Sequence, residues 1–145
     1  MKVVLIHGFN VRDGGANTVD RLAPYLEAAG HEVEIDEADY GFYNLFKVRF
    51  RKHSAVLRIA GALDSADWVI SHSNGSNYAN KALKLLTRRN RPIREIRLSP
   101  ALNRKTGTHA DKCFVFHTKT DWAVKISSFL PFFRFKLVHR CFTIF

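Results

Sequence analysis

Apolar and polar positions change their spacing along the chain in a way that predicts strands and helices in turn. Residues 3–6 form a continuous apolar run of Val and Ile with Leu, which is typical of a parallel strand buried on both faces. Further strands are predicted at 31–36, 68–70, 93–98 and 113–117, of which 68–70 and 113–117 should be buried, and helices at 16–29, 56–66 and 77–86. Strands that alternate with helices favour a mostly parallel sheet of five or six strands with helices on both faces. We therefore expect an α/β fold, a three-layer α/β/α sandwich.

Three segments depart from this regular pattern. Pro24 lies inside the predicted helix 16–29, so the helix should kink or break there, and Gly30 should end it. Residues 40–55 interleave aromatic and cationic side chains and fit neither period, so they form either a lid or flap over one end of the sheet or an irregular connection packed on the core. The tail 127–145 is an atypical ending because it crowds phenylalanines among cations. This aromatic end should be buried against the sheet, against a partner subunit or against a membrane surface. A homo-oligomer formed through the tail is one of the expected assemblies.

Length and composition indicate one globular domain spanning 1–145. The chain has 46% hydrophobic residues, and it contains no apolar run of the roughly 18 residues that cross a bilayer. The apolar start is too short for a signal peptide, so a cytoplasmic protein is expected. Cys113 and Cys141 lie in apolar segments without metal-ligand spacing, which favours reduced core thiols over a disulfide or ligand pair.

The formal net charge of +10 requires an explanation of its own. Cations cluster in 49–52 and 88–91, at Arg94 and Arg97, and in the tail. Such clusters are most often solvated surface, but they also attract anionic partners such as nucleic acid or phospholipid headgroups. No sequence signature of a nucleic-acid-binding fold accompanies them, so only a weak association with anionic surfaces is expected.

The stretch 71–75 reads Ser-His-Ser-Asn-Gly and lies between a predicted strand and a predicted helix. Small residues two positions before and after Ser73 would let strand and helix pass closely around a sharp turn. This pattern resembles the nucleophile elbow G-x-S-x-G of the α/β-hydrolase family, with serine in the first small position. The resemblance implies that Ser73 is a catalytic nucleophile. The alternative is a serine that caps the following helix.

Two further features carry the same resemblance. The first strand ends in His7-Gly8-Phe9, and a His-Gly pair at this place in the family implies that the N–H groups of Phe9 and Asn74 form the oxyanion hole. The family places its triad acid on a loop after the strand that follows the elbow region, which implies Asp121. The alternatives are a simple turn after the first strand and an N-cap role for the aspartate. Residues 99–103 follow the strand 93–98 and should line the pocket.

The catalytic histidine is where the chain departs from the family. The family order is Ser, acid, His, and His139 is the single histidine beyond the acid, but its surroundings look like a strand and not a mobile loop. A packed or exposed non-catalytic His139 is therefore an open alternative. His117 is the reserve candidate, and His7 and His72 are expected to be structural.

The resemblance implies a serine hydrolase that acts on a small-molecule ester or related acyl bond and needs no cofactor and no metal. Dinucleotide and nucleoside-triphosphate binding lose support because no glycine-rich phosphate motif follows the first strand. Two other classes stay open: a hydrolase-fold binding protein without a working base, and a basic peripheral binder of nucleic acid or anionic lipid.

Overall fold

The computed structural model describes residues 1–8, 19–36, 53–86, 92–100 and 107–116. These residues form five strands and three α-helices, with a short 3-10 helix (Val19–Leu22) leading into the first. The strands are β1 (Lys2–Ile6), β2 (Glu32–Asp36), β3 (Trp68–His72), β4 (Arg94–Leu98) and β5 (Lys112–Phe116). The helices are α1 (Ala23–Ala28), α2 (His53–Asp64) and α3 (Gly75–Leu85).

All strand pairs in the described sheet are parallel, and the strands lie side by side in the order β2-β1-β3-β4-β5. The central register pairs Val4 with Val69 and Ile70 with Ile96. From β1 the chain adds β2 on one side of the sheet, and from β3 it adds β4 and then β5 on the other side. The boundary between β1 and β3 is therefore the topological switch point. The α/β class predicted from the sequence is confirmed.

Helices cover both faces of the sheet among the described residues. Val4, Ile6 and Val69 pack with α2 and α3 on one face. Val3 and Leu5 join a second cluster with α1 and the 3-10 helix on the other face. Successive side chains of a strand point to opposite faces, so each central strand contributes to both clusters and needs apolar residues at consecutive positions.

The helix predicted at 16–29 is divided, and Pro24 is the reason. Described residues begin at Val19, where a 3-10 helix runs to Leu22 and the six-residue α1 follows. Pro24 lies in the first turn of α1, where its missing N–H costs no hydrogen bond. Gly30 ends the segment in the left-handed region, with φ 80°, as expected for a glycine after a helix.

The part of the predicted lid or flap 40–55 that the structure describes is helical. Helix α2 begins at His53 and not near residue 56, so residues 53–55 belong to a helix. The remainder of that prediction, 40–52, lies outside the described residues, and so does the tail 127–145.

The prediction of a buried strand near 113–117 was wrong about its burial. Phe114 is 44% exposed and Val115 is 38% exposed, because β5 is the last strand of the described sheet and pairs there with β4 alone. The Phe114 ring stacks on Trp68 at 6.2 Å between centroids, and the Arg94 guanidinium lies 5.3 Å from the Trp68 ring. In the described part of the chain, every helix is too short or too polar to cross a membrane.

Candidate active site

Ser73 forms the sharp turn between β3 and α3. Its φ is 49°, in the left-handed region that residues other than glycine seldom adopt. The Ser73 N–H donates to the carbonyl of Leu98 on β4 at 3.0 Å, and its own carbonyl accepts the N–H of Ser76 at 3.2 Å. The turn is thereby tied to the neighbouring strand on one side and to α3 on the other. Ser73 lies between a strand and a helix, where the sequence predicted the elbow.

Two glycines allow β1, β3 and α3 to meet at this turn. A Cβ on Gly75 would lie 2.5 Å from the carbonyl oxygen of His7 and 2.7 Å from that of Ile6. A Cβ on Gly8 would lie 2.8 Å from the Cβ of Ser73. Separations under about 3 Å are shorter than van der Waals contact, so any larger residue would push the elements apart. The glycine predicted at the last small position of the elbow is therefore required by packing.

The first small position of the elbow is Ser71, and its hydroxyl has a partner. Ser71 and Ser76 are both fully buried, and their Oγ atoms lie 2.9 Å apart in a hydrogen bond that either can donate. A serine is accepted at this buried position because α3 supplies the partner that a buried hydroxyl needs. The hydrogen bond joins β3 to the first turn of α3.

The turn lies at the edge of the sheet where parallel α/β folds collect their ligands. His7 and Gly8 follow β1, and Ser73 and Asn74 follow β3, so all four lie at the carboxyl ends of adjacent strands. These two strands flank the switch point of the sheet order, and the crevice outside such a point is the usual ligand site.

Asn74 is the cap residue of α3, so its amide belongs to the positively polarised end of an eleven-residue helix. Its side-chain carbonyl accepts a hydrogen bond from the side-chain amide of Asn77 at 3.0 Å, which ties the Asn74 side chain to the first turn of α3. An amide at this place can stabilise a negative oxygen that develops on a substrate.

Two histidines lie beside the turn. His7 is buried, and its Nδ1 lies 3.0 Å from the carbonyl oxygen of Gly8, to which it donates when that nitrogen carries the proton. The Nδ1 of His72 lies 3.1 Å from the point that a Cβ on Gly8 would occupy. Both rings therefore pack around Gly8 and help to shape the crevice.

The other predicted site residues lie in parts of the chain that the structure does not describe. Phe9, Asp121, His139 and the reserve candidate His117 all lie outside the described residues. Their roles stay predictions. In the described part of the chain, no three His, Cys, Asp or Glu side chains are grouped as metal ligands.

A second serine with a left-handed backbone, Ser99, follows β4 with a φ of 43°. Its N–H donates to the carbonyl of Phe116 at 2.7 Å. The sequence predicted only that 99–103 lines the pocket. The signal that could have drawn attention to Ser99 is the Ser-Pro pair at the end of a strand, a combination that marks a turn.

Arg97 was grouped with the surface cations, and this is wrong. It is 5% exposed, and its guanidinium lies 2.8 Å from the carboxylate of Glu95, which is completely buried. The same guanidinium donates to the Asn80 side chain on α3 at 3.1 Å, and the hydroxyl of Thr108 donates to Glu95 at 2.7 Å. An alternating strand pattern does not tell which face receives a helix, so the sequence did not show that this cation lies beneath α3.

Cys113 is a free thiol next to this buried ion pair. Burial, with a smaller contribution from the negative charge of Glu95, raises the pKa of the Cys113 thiol to about 11. The expected reduced state agrees with this environment, since a thiol with a raised pKa is a poor nucleophile. Cys141 lies outside the described residues.

Comparison of the chain with protein-family models, curated proteins and solved structures finds no match.

Proposed function

We propose that this protein is a serine hydrolase of the α/β-hydrolase type that cleaves an ester or related acyl bond, with Ser73 as its nucleophile. The observation that carries the proposal is the left-handed Ser73 in the turn between β3 and α3, at the carboxyl edge of a parallel sheet. Strain in a residue other than glycine persists only where the surroundings enforce it, and such residues cluster at active sites.

The packing around Ser73 supports the same function. Gly8 and Gly75 leave room for β1, β3 and α3 to converge, as a nucleophile elbow requires. A serine used only to cap α3 would not need this geometry. The cap position of α3 is occupied by Asn74, so Ser73 lies one residue before the position that the capping alternative assigns to it.

The chemistry follows from this arrangement. The Ser73 oxygen attacks the carbonyl carbon of the substrate, and the proton of the hydroxyl passes to a histidine, for which His139 is the proposed base. Asp121 is proposed to orient the imidazole and to stabilise its positive charge. The amides of Asn74 and Phe9 would hold the oxyanion of the tetrahedral intermediate. Collapse of the intermediate breaks the ester C–O bond, and the histidine gives its proton to the departing alcohol. Water, deprotonated by the same histidine, then attacks the acyl-enzyme, and its collapse releases the acid and returns the proton to Ser73.

Labelling with a fluorophosphonate probe tests the nucleophile. The native chain should be labelled, Ser73→Ala should not, and Ser65→Ala should be labelled like the native chain. Ser65 is a suitable control because its hydroxyl accepts a hydrogen bond from Lys2, at the opposite end of β1. A native chain that is folded but not labelled would overturn the proposal and favour a binding protein on the same fold.

The same assay assigns the base and the acid. Loss of labelling in His139→Ala and Asp121→Asn, with His117→Ala still labelled, is the result expected for a complete triad. Loss in His117→Ala and not in His139→Ala would move the base to the residue that follows β5. Circular dichroism of each variant separates lost chemistry from lost fold.

A further inference from the structure

An apolar surface lies across β3, β4 and β5 on the face of the sheet that carries α1. Its side chains are those of Trp68, Ile96, Leu98, Phe114 and Phe116. Phe114 is 44% exposed and the other four are only partly buried. The 3-10 helix packs against β1 and β3, and α1 packs against β2. The described helices on this side therefore cover the other half of the sheet, and we call the five residues the open face.

The opposite face of β4 and β5 is different in character. There β4 carries the Glu95–Arg97 ion pair, and Arg97 donates to Asn80 on α3. Among the described residues, the contiguous apolar surface of these two strands thus lies on the α1 side. A contiguous apolar patch in contact with water marks a place where another segment or molecule docks.

The chain itself supplies an apolar segment directly after β5. Residues 122–130 lie outside the described residues, and their sequence has four large apolar residues at a helical spacing, which would share one face of a helix: Trp122, Ile126, Phe129 and Leu130. Asp121 stands where an N-cap is favoured, and Pro131 stands where a helix must end. The sequence therefore predicts a short amphipathic helix whose apolar face has no partner among its own residues.

The length and direction of this segment suit the open face. The five residues 117–121 can span up to about 16 Å, enough to turn back at the carboxyl end of β5. A helix of nine residues is about 13 Å long, close to the length of a five-residue strand. Such a helix would end near Arg94 and Lys112, the paired and exposed first residues of β4 and β5. Cations stabilise the C-terminal end of a helix.

We propose that residues 122–130 of the same chain dock as a helix on the open face. The short tether favours this occupant over a second copy or a membrane, because it holds the segment beside the face at an effective concentration on the order of millimolar. This inference is independent of the proposed function, since it uses no property of Ser73.

The fluorescence of Trp122 tests the docking in the full chain. The chain has two tryptophans, so Trp68→Phe leaves Trp122 as the single emitter. In this background Trp122 should emit at short wavelength and resist quenching by acrylamide, at low protein concentration and without lipid. Phe114→Glu places a charge beneath the docked helix, which is costly, and should increase the quenching severalfold.

Val115→Glu is the matched control, because Val115 is 38% exposed and its side chain lies on the opposite face of β5. It should leave the quenching of Trp122 unchanged. If Phe114→Glu does not fold by circular dichroism, Ile126→Ser takes its place. Val124→Ser, on the opposite side of the predicted helix, is then the control.

Free access of acrylamide to Trp122 in the folded Trp68→Phe chain, or equal quenching in Phe114→Glu and Val115→Glu, would overturn the proposal. Protection that appears only with a dimer mass in size-exclusion chromatography would assign the open face to a second copy instead. Protection only with phosphatidylserine vesicles would assign it to a membrane. Each of these outcomes leaves the hydrolase proposal as it stands, because Ser73 takes no part in the measurement.

Discussion

Ser73 combines a reactive hydroxyl with a backbone conformation that serine seldom adopts. A left-handed residue with a Cβ costs roughly 1–2 kcal/mol relative to one without strain. The hydrogen bonds that Ser73 makes to Leu98 and Ser76 hold its backbone in this conformation despite the cost. Glycine lacks the Cβ that causes the strain. Replacing Ser73 by glycine should therefore relieve the strain and at the same time remove the hydroxyl that the proposed reaction needs.

We predict that Ser73→Gly is more stable than Ser73→Ala by about 1 kcal/mol in urea unfolding, since alanine keeps the strain and glycine removes it. Neither variant should react with the fluorophosphonate probe. At Ser65, where φ is not positive, glycine should instead be no more stable than alanine. Equal stabilities of the two Ser73 variants would argue against a strained turn.

Gly75 makes the closest approach of the site, and its substitution should be costly. Gly75→Ala places a Cβ 2.5 Å from the backbone oxygen of His7, which cannot rotate away, so we predict a loss of about 1–3 kcal/mol in the free energy of unfolding. Gly61→Ala is the matched control, because a Cβ on this α2 glycine meets no described atom within 4 Å.

The control should be stabilised by up to about 1 kcal/mol through the higher helix propensity of alanine. Thermal or urea unfolding of both variants measures the contrast. A Gly75→Ala protein as stable as Gly61→Ala would show that α3 does not pack on the end of β1 in the way described.

The raised pKa of Cys113 predicts that its thiol is alkylated slowly. At pH 8 a group with a pKa of about 11 holds roughly a hundredfold less thiolate than one with the ordinary value of 9.0, and alkylation requires the thiolate. In a Cys141→Ser background, iodoacetamide should therefore react far more slowly with the folded protein than with the protein in urea. Similar rates in both would contradict the environment described for Cys113.

The same raised pKa of Cys113 determines whether stability rises or falls with pH. Below pH 9 the Cys113 thiol is protonated in the folded and the unfolded chain, so it has no effect on the pH dependence. Between pH 9 and about 11 the unfolded chain releases this proton first, so stability is lost as the pH rises.

Among the secondary-structure elements, β4 joins the sheet to α3 in two ways. Its Leu98 carbonyl accepts the Ser73 N–H, and its Arg97 side chain, paired with Glu95, donates to Asn80 on α3. A buried ion pair contributes little net stability over apolar residues of the same size, but removing one partner leaves a buried charge. The hydrogen bond from Arg97 to Asn80 connects this pair to α3.

Replacing Arg97 tests whether the Glu95–Arg97 ion pair is buried. Arg97→Met should lower the free energy of unfolding by about 3–5 kcal/mol, because the completely buried carboxylate of Glu95 loses its cation. Glu95→Leu combined with Arg97→Met should recover much of this loss. Urea unfolding of the single and the double variant measures both effects.

Arg94→Met is the matched control for this experiment. Arg94 directly precedes Glu95, and its exposed side chain lies on the face of β4 opposite to Glu95 and Arg97. The loss of this surface cation should cost far less stability. An unfolding curve for Arg97→Met that matches the one for Arg94→Met would contradict the burial of the pair.

For the molecule as a whole, the net charge of +10 is independent of the proposed chemistry. A strongly basic protein attracts polyanions through many weak contacts that salt screens. We predict retention on a heparin column at low salt and elution that moves to lower salt when Arg88, Arg89 and Arg91 are replaced by glutamine. Ser73→Ala, which changes no charge, should elute with the native protein. Elution unaffected by the three substitutions would place the anion-binding charge elsewhere.

The order of residues along the chain was enough to predict the α/β class and most of the elements, because each strand and helix has its own apolar period. It also indicated the sharp turn between β3 and α3, since the requirement for small residues at 71 and 75 is local to one turn. The limits of β3 and α3 were less well predicted: β3 extends to His72 and α3 begins at Gly75, because polar residues there find partners across the turn.

Which side chains are buried and which backbones are strained became visible only in the assembled fold. The burial of Arg97 depends on α3 lying over β4, and the exposure of Phe114 depends on the place of β5 in the described sheet. The left-handed conformations of Ser73 and Ser99 are enforced by neighbours distant in the sequence, through hydrogen bonds to Leu98 and Phe116. Periodicity describes one segment at a time, and these properties arise only where segments meet.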